Sequence, residues 1–242
     1  MTETGKNVVE KLIILVGDNV FGAAPVKEGQ FKALDSLALR GQCGFVSTFK
    51  DSHDTLSQLI GTHYFTIEKL SKLLGEMKLA VLKDQSTYSG FGEVFSIKEK
   101  SLNEIYNQIQ NLLKTFCIVV VEMHSLDSIN QMTERLFPSI DKENVALIVL
   151  CGYGPNAKIP IFKTFPVVDP SWKVIGPDVV ESLSVEHPML FVSASKQLTR
   201  IDNVKFFSEK EIEDHCGMGI LPICQLFREC SYYTGSTWKY GA

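Results

Sequence analysis

Short, nearly continuous apolar runs alternate along this chain with segments in which apolar residues recur every three or four positions. The runs are rich in Val, Ile, Leu and Phe and cover residues 11–16, 43–47, 79–83, 116–121, 145–150 and 189–193. Runs of this length and composition are typical of strands that are buried on both faces of a parallel sheet. The pattern therefore predicts six buried strands.

The segments between these runs have helical periodicity. Residues 101–115 begin with Ser101 and Glu104 at the spacing of a capping box, and Ser125 stands where it would cap a second helix. Further helices are predicted over residues 31–41, 56–61 and 67–77. Strands that alternate with helices form right-handed βαβ units, so we predict an α/β fold: a doubly wound, mostly parallel sheet with helices on both faces.

Residues 151–187 break this alternation. Five prolines lie in the segment and Pro188 follows it, so it is predicted to be a long ordered loop or a short extension. No low-complexity linker divides the chain, and we predict a single domain over residues 1–242. The aromatic tail, residues 231–242, either packs back on this domain or is presented to a partner.

Composition and charge narrow the class of protein. The 24 basic and 28 acidic residues give a formal net charge of −4 without a basic run, which argues against a nucleic-acid or acidic-membrane binder. No apolar stretch has the length of a membrane span, and we expect neither membrane association nor a targeting segment at the polar start. The six cysteines lack CxxC spacing, which favours reduced thiols in a cytoplasmic protein.

Three local motifs imitate functional sites. Gly152 and Gly154 match a dinucleotide-binding pattern, but Pro160 and Pro166 interrupt the helix that would have to follow. Residues 90–94 resemble a kinase glycine loop without its third glycine. Residues 213–216 offer four adjacent polar or thiol side chains that point apart, so a solvated turn is expected there rather than a metal site.

Three polar residues each lie shortly after the carboxyl end of a predicted strand. Asp18 comes after the first strand, Ser52 after the second and Asp127 after the central strand. Ligands of open parallel sheets bind beyond the carboxyl ends of the strands, so these side chains could form a site at one edge. Ser, Asp and Asn also cap helices at such positions, and spacing alone favours this interpretation over a shared site.

Taken in order along the chain, these segments resemble the alkaline phosphatase superfamily, and within it the archaeal type of cofactor-independent phosphoglycerate mutase. Residues 34–45 resemble a Leu-, Ala- and Gly-containing segment of those enzymes, and residues 52–61 resemble the segment with the nucleophilic serine. The resemblance implies that Asp18 and Asp127 bind metal and that Ser52 attacks phosphorus.

Several positions depart from the family pattern. Gln131 stands where the family has a histidine ligand, residues 151–152 are Cys and Gly in place of an Asp-His pair, and His187 directly precedes Pro188, out of register. Residues 62–116 leave room for only three elements and not for the family's cap domain. We therefore expect an alkaline-phosphatase-like core that lacks a cap.

The family mechanism needs two metal ions to activate the serine, and about half of the ligands are replaced. The leading hypothesis is a catalytically inactive module that serves as a protein-binding or structural scaffold without a cofactor. The alternative is a weak metal-dependent phosphatase or phosphomutase with Ser52 as nucleophile, a single Mg, Mn or Zn ion at Asp18 and Asp127, and a histidine (His53, His124 or His187) as substitute ligand. A third hypothesis is a phosphate- or nucleotide-binding module without turnover.

Overall fold

Strands and helices alternate over most of the chain that the computed structural model describes. The described residues are 9–22, 24–49, 55–60, 68, 78–84, 91–142, 144–154, 174–175, 178–179, 183–196, 201–217, 219–223 and 225–227. In chain order, the elements are β1 (Lys11–Phe21), α1 (Lys32–Leu39), β2 (Gln42–Phe49), α2 (Thr55–Ile60), β3 (Leu79–Lys83), β4 (Glu93–Ser96), α3 (Leu102–Leu112), β5 (Ile118–Glu122), α4 (Leu126–Lys142), β6 (Val145–Tyr153), β7 (Val174–Ile175), β8 (Asp178–Val179), β9 (Leu183–Ala194), α5 (Glu209–His215) and β10 (Ile220–Pro222).

Eight strands form one sheet in the order β10-β2-β9-β6-β1-β5-β3-β4. All its pairings are parallel except those of β9, which runs antiparallel to both β2 and β6. The strands β7 and β8 pair with each other in a separate two-stranded sheet. The predicted mostly parallel sheet is therefore confirmed.

Each of the six apolar runs coincides with a strand. Two further strands of the large sheet, β4 and β10, were not predicted from the sequence. The edge strand β4 has four residues and is largely exposed, so it carries no buried apolar run. The strand β10 has three residues and ends in a proline. Both are too short for hydrophobic periodicity to reveal them.

The helix-start signals are confirmed in atomic detail. The backbone N–H of Glu104 donates to Ser101 Oγ over 3.3 Å, and the N–H of Ser101 donates to Glu104 Oε2 over 2.8 Å, which completes the capping box of α3. The N–H of Ser128 donates to Ser125 Oγ over 3.1 Å at the start of α4. Of the helix predicted at 67–77, only residue 68 is described, and it is helical.

The polar turn predicted at residues 213–216 is wrong. Residues 213–215 form the last turn of α5, which begins after Ser208, and the Ser208 side chain accepts the N–H of Glu211. The buried side chain of Ile212 packs this short helix against the core. A single apolar residue in a polar stretch is a weak periodic signal, which is why the sequence favoured a turn.

Two hydrophobic clusters cover the two faces of the sheet. One contains the buried faces of α1, α3, α4 and α5 together with Ile13 and Leu15 of β1. The other contains Leu12 and Ile14 of β1, the apolar side of α2 and the helical residues 225–227. Because successive strand side chains point to opposite faces, β1 contributes to both clusters. Helices thus lie on both faces, as predicted.

The first turn of α1 receives its cap from a distant helix. Its N-cap residue, Phe31, has no side-chain acceptor. Instead, Asn130 Oδ1 in α4 accepts the N–H groups of Ala33 over 3.0 Å and Leu34 over 3.3 Å. This contact ties α1 to α4 on the same face of the sheet.

Candidate functional site

The carboxyl ends of the parallel strands bring Asp18 and Asp127 to one edge of the sheet. Asp18 lies near the end of β1, and Asp127 lies in the first turn of α4, which follows the neighbouring strand β5. The N–H of Met123 donates to Val16 O over 2.8 Å and holds the β5–α4 connection against β1. Both aspartates are exposed.

An irregular turn in β1 sets the orientation of Asp18. The β1–β6 register shifts between Gly17 and Phe21, and Asn19 has a left-handed φ of 57°. Asparagine tolerates this conformation better than most side chains do. At Gly17, a Cβ would lie only 2.4 Å from Ile129 Cδ1, so the first turns of α4 pack directly on the strand beside Asp18.

The Asp18 carboxylate lies between α2 and β6. Thr55 Oγ1, at the first residue of α2, donates a hydrogen bond of 2.8 Å to Asp18 Oδ2. On the other side, a Cβ built on Gly152 would lie 3.1 Å from Asp18 Oδ1. The backbone of β6 therefore approaches Asp18 at the residue where the family resemblance implies a metal ligand.

Ser52 and His53 lie outside the described residues, and so does the side chain of His187. Ser52 precedes Thr55, the first residue of α2, by three positions in the sequence.

The departures from the family pattern have clear structural consequences. The Cys151 side chain is 0 % exposed and belongs to the apolar cluster on the face of α1 and α4. Burial raises the pKa of this thiol, which favours its neutral form. Gln131 is exposed on α4. Neither residue offers a charged metal ligand at this edge.

Two side-chain pairs at the same edge, one ion pair and one His–Asp pair, were not predicted from the sequence, although His124 was named there as a substitute metal ligand. Lys83 Nζ at the end of β3 lies 3.9 Å from Glu122 Oε1 at the end of β5, and His124 Nε2 lies 3.1 Å from Asp84 Oδ2. The available signal is a charged residue at the end of two apolar runs: Lys83 ends residues 79–83, and Glu122 directly follows residues 116–121. The pairing itself follows from β3 and β5 being neighbours, which the runs do not reveal.

The resemblance implies a two-ion centre, of which Asp18 and Asp127 lie in the part of the chain that the structure describes. Within that part, no group of three or more His, Cys, Asp or Glu side chains is arranged to hold a metal ion. Asp18 contacts Thr55, His124 contacts Asp84, and Gly152 contributes no side chain. Among the same residues, no helix is both long and apolar enough to cross a membrane.

Comparison with known proteins supports the fold. No protein-family model and no curated sequence matches this chain. Its structure is similar to that of the PH0037 protein from Pyrococcus horikoshii, at 11% identity and a TM-score of 0.66, over 97% of this chain and 99% of that one. It is also similar to a cofactor-independent phosphoglycerate mutase from Thermoplasma acidophilum, at 9% identity and a TM-score of 0.57, over 89% of this chain and 97% of that one.

A third similar structure is the lipoteichoic acid synthase LtaP from Listeria monocytogenes, at 10% identity and a TM-score of 0.51, over 97% of this chain and 74% of that one. At such low identity these similarities show the fold alone, and they confirm the predicted alkaline-phosphatase-like core. Because the matched mutase chain is covered almost completely, the length of this chain does not distinguish it from that structure. The absence of a cap domain and the single-domain organisation stay predictions.

Proposed function

We propose that this chain is an alkaline-phosphatase-like module that binds another protein and does not transfer phosphoryl groups. The observation that carries this proposal is the contact between Asp18 and β6. Gly152 stands there without a side chain, and Cys151 is buried on the opposite face of the sheet. The half of the site that the family builds from this strand has no ligand.

The missing ligand on β6 limits how firmly the site can hold metal ions, and the proposed lack of turnover follows from this. A serine hydroxyl is a weak nucleophile near neutral pH, and metal ions both activate it and neutralise the transferring phosphoryl group. Asp18 and Asp127 supply two carboxylates, and the His124 imidazole is already paired with Asp84. Two firmly held ions would need more ligands than these, so the proposed module works without a metal cofactor.

The proposed partner is a protein. The net charge of −4 disfavours nucleic acid, and the reduced cysteines favour a cytoplasmic location. We assign the binding surface to the proline-rich residues 155–177 and the aromatic tail 231–242, since aromatic side chains are enriched at interfaces. Most of the first segment and all of the second lie outside the described residues.

One observation favours a second candidate function, a weak metal-dependent phosphatase or phosphomutase. Thr55, three positions after Ser52 in the sequence, donates a hydrogen bond to Asp18, and Asp127 lies at the same edge. A single Mg, Mn or Zn ion held by these oxygen atoms would suffice for slow turnover in this alternative.

Turnover assays separate the two functions. The wild-type protein, Ser52→Ala and Ser36→Ala are compared on p-nitrophenyl phosphate and phosphoglycerate with Mn²⁺, Zn²⁺ or Mg²⁺. Ser36 is the control because it lies exposed on α1 and its hydroxyl donates to the carbonyl of Lys32, one turn earlier in the same helix. We expect no turnover above buffer for any of the three. Activity that Ser52→Ala abolishes and Ser36→Ala keeps would establish the enzyme and refute the module.

A binding assay tests the partner. Proteins cross-linked to the full chain in cytosolic extract are compared with those cross-linked to a chain that lacks residues 231–242. We expect specific partners to be lost on deletion and kept by Ser52→Ala. An identical set of partners for the full and the shortened chain would contradict the assigned surface.

A further inference from the structure

The two edges of the large sheet differ in their capacity to pair with a further strand. At one edge, β10 is three residues long and ends in Pro222, which has no N–H to donate. At the other edge, β4 has no described strand beyond it, and its residues Glu93, Val94 and Ser96 are exposed. The unpaired N–H and C=O groups of such an edge are a template for another strand.

The hydrogen bonds between β4 and β3 show which backbone groups of β4 face outward. The N–H of Ile97, directly after β4, donates to Lys83 O over 3.1 Å, so it points toward β3. The N–H and C=O groups of successive residues alternate between the two edges of a strand. The odd-numbered residues of β4 therefore also face β3, whereas Val94 and Ser96 turn both of their backbone groups toward the open edge.

The side chains of β4 divide between the two faces of the sheet. The Phe95 ring packs edge-on against Phe116, with ring centroids 5.8 Å apart, and belongs to the apolar cluster on the face of α3. Val94 points to the opposite face and is 38 % exposed, which makes it one of three large apolar side chains that the described residues leave exposed. A strand paired with this edge would cover part of the Val94 side chain.

We propose that β4 pairs antiparallel with β4 of a second copy of this chain, across a two-fold axis that passes Phe95. In this register Val94 of each copy exchanges two hydrogen bonds with Ser96 of the other, which gives four backbone hydrogen bonds. A pair centred on Val94 would keep only two, because Gly92 has a φ of 111° and leaves the extended conformation. Since each copy uses up the edge of the other, the pair closes as a dimer.

The charges at the two ends of β4 favour this antiparallel partner. The strand begins with Glu93, and residues 98–100 (Lys, Glu, Lys) carry a net charge of +1 shortly after its end. In the pair centred on Phe95, Glu93 lies opposite Ile97 of the other copy, one position from Lys98. A parallel copy would set like charges side by side. Because these side chains are exposed, their attraction is weak and falls with salt.

Sedimentation equilibrium of the full chain at increasing concentration tests the association. A short strand pair is small, and interfaces below about 1,200 Å² are typical of transient complexes. We therefore expect a weak dimer, with a mass that rises from the 27.0 kDa of one chain toward twice that value.

Val94→Pro removes one outward N–H from each copy and leaves the donors that face β3 in place. Proline is tolerated on an edge strand at such a position. A typical hydrogen bond shifts an equilibrium by about 2- to 13-fold, so the loss of two should weaken the dimer by about 5-fold or more. Val94→Thr is the matched control, because it keeps the N–H and a β-branched side chain, and it should dimerise like the wild type. Circular dichroism verifies that both variants are folded.

Amide hydrogen exchange of the wild type, followed by nuclear magnetic resonance, gives a second measurement that needs no variant. The amides of Val94 and Ser96 should exchange more slowly as the concentration rises, since only the dimer bonds them. The amide of Phe95 faces β3 in either state and should not change.

Charge exchange tests the antiparallel direction. Glu93→Lys and Lys98→Glu each bring like charges together at the two ends of the interface and should weaken the dimer. The double variant carries opposite charges again and should recover the affinity of the wild type.

Three results would each overturn the proposal: a single-chain mass and unchanged exchange at every concentration, a dimer that a folded Val94→Pro leaves unchanged, or a double charge variant no better than the single ones. If the chain stays single but Val94→Pro loses partners that the full chain cross-links, a strand of another protein occupies the edge and self-association is refuted.

This inference goes beyond the proposed function, because β4 is separate from the surface assigned to the partner protein. Turnover that depends on Ser52 would refute the proposed function and leave the dimer intact. A chain that never dimerises would refute the pairing of β4 and leave the proposed function untouched.

Discussion

Asn130 offers a quantitative test of how the helices on one face are held together. Its Oδ1 accepts two N–H groups in the first turn of α1, at 3.0 and 3.3 Å. The first four N–H groups of a helix have no partner within it, and Phe31 supplies no cap. Asn130→Ala leaves two of these donors without their acceptor.

The expected cost is about 1–2 kcal/mol of the free energy of unfolding. Loss of a side-chain cap costs about 1 kcal/mol in typical helices, and the second N–H adds a fraction of a further hydrogen bond. Asn130 is half-buried, so water only partly replaces it. For a chain of this size the melting temperature should fall by about 2–8 °C, and the urea midpoint by roughly 0.3–0.7 M if the m-value is about 3 kcal/mol/M.

Urea unfolding followed by circular dichroism measures this change. Gln131→Ala is the matched control, because Gln131 is the next residue on α4 and its side chain is exposed; it should change stability by less than about 0.5 kcal/mol. Asn130→Asp keeps an acceptor at the positive end of α1 and should retain most of the stability. If Asn130→Ala is no more destabilising than Gln131→Ala, the distant cap contributes nothing and the reasoning is refuted.

Three further predictions concern packing, pH and thiol chemistry. Gly17→Ala places a Cβ 2.4 Å from Ile129 Cδ1 and should cost about 1–3 kcal/mol, whereas Gly22→Ala, with no atom within 4 Å of its Cβ, should be nearly neutral in the same urea titration. Burial raises the pKa of Asp35 above its ordinary 3.8, although the N–H of Phe207 lowers it in part. The folded state thus binds this proton more tightly than the unfolded state does. The free energy of unfolding therefore falls as pH rises through the raised pKa. Asp35→Asn keeps an acceptor and should lose less stability than the wild type as pH rises above the ordinary pKa of 3.8; equal losses would show that this carboxyl does not contribute. The buried thiol of Cys151, with its raised pKa, should resist alkylation by iodoacetamide in the native protein and react in urea; mass spectrometry that finds it modified in the folded chain would contradict its burial.

Local patterns predicted those elements whose signal lies within a few residues. A buried strand repeats every two residues, and the capping box of α3 spans only Ser101 to Glu104. These signals need no knowledge of neighbouring elements. The edge strand β4 and the short helix α5 lack them, because each buries little apolar surface of its own.

The candidate site was likewise only partly predictable from local sequence signals. A shared edge for Asp18 and Asp127 was one of two interpretations of the sequence, since both residues follow parallel strands whose carboxyl ends meet. The sequence did not predict the partner of Asp18, because Thr55 is 37 residues away and reaches it only once α2 has packed on the sheet. The roles assigned to Ser52, Asp18 and Asp127 stay predictions that the experiments above address.

The sequence by itself determined the alternation of strands and helices and the mostly parallel character of the sheet. Only the tertiary structure decided the strand order, the antiparallel direction of β9 and the contacts Asn130–α1 and Thr55–Asp18. The physical reason is the separation in sequence of the residues involved. Hydrophobic periodicity and capping act within one or two turns, whereas the contacts of Asn130 with α1 and of Thr55 with Asp18 join residues that are 37 to 97 positions apart. Such contacts exist only after long loops have closed and the apolar faces of distant helices have packed on the sheet.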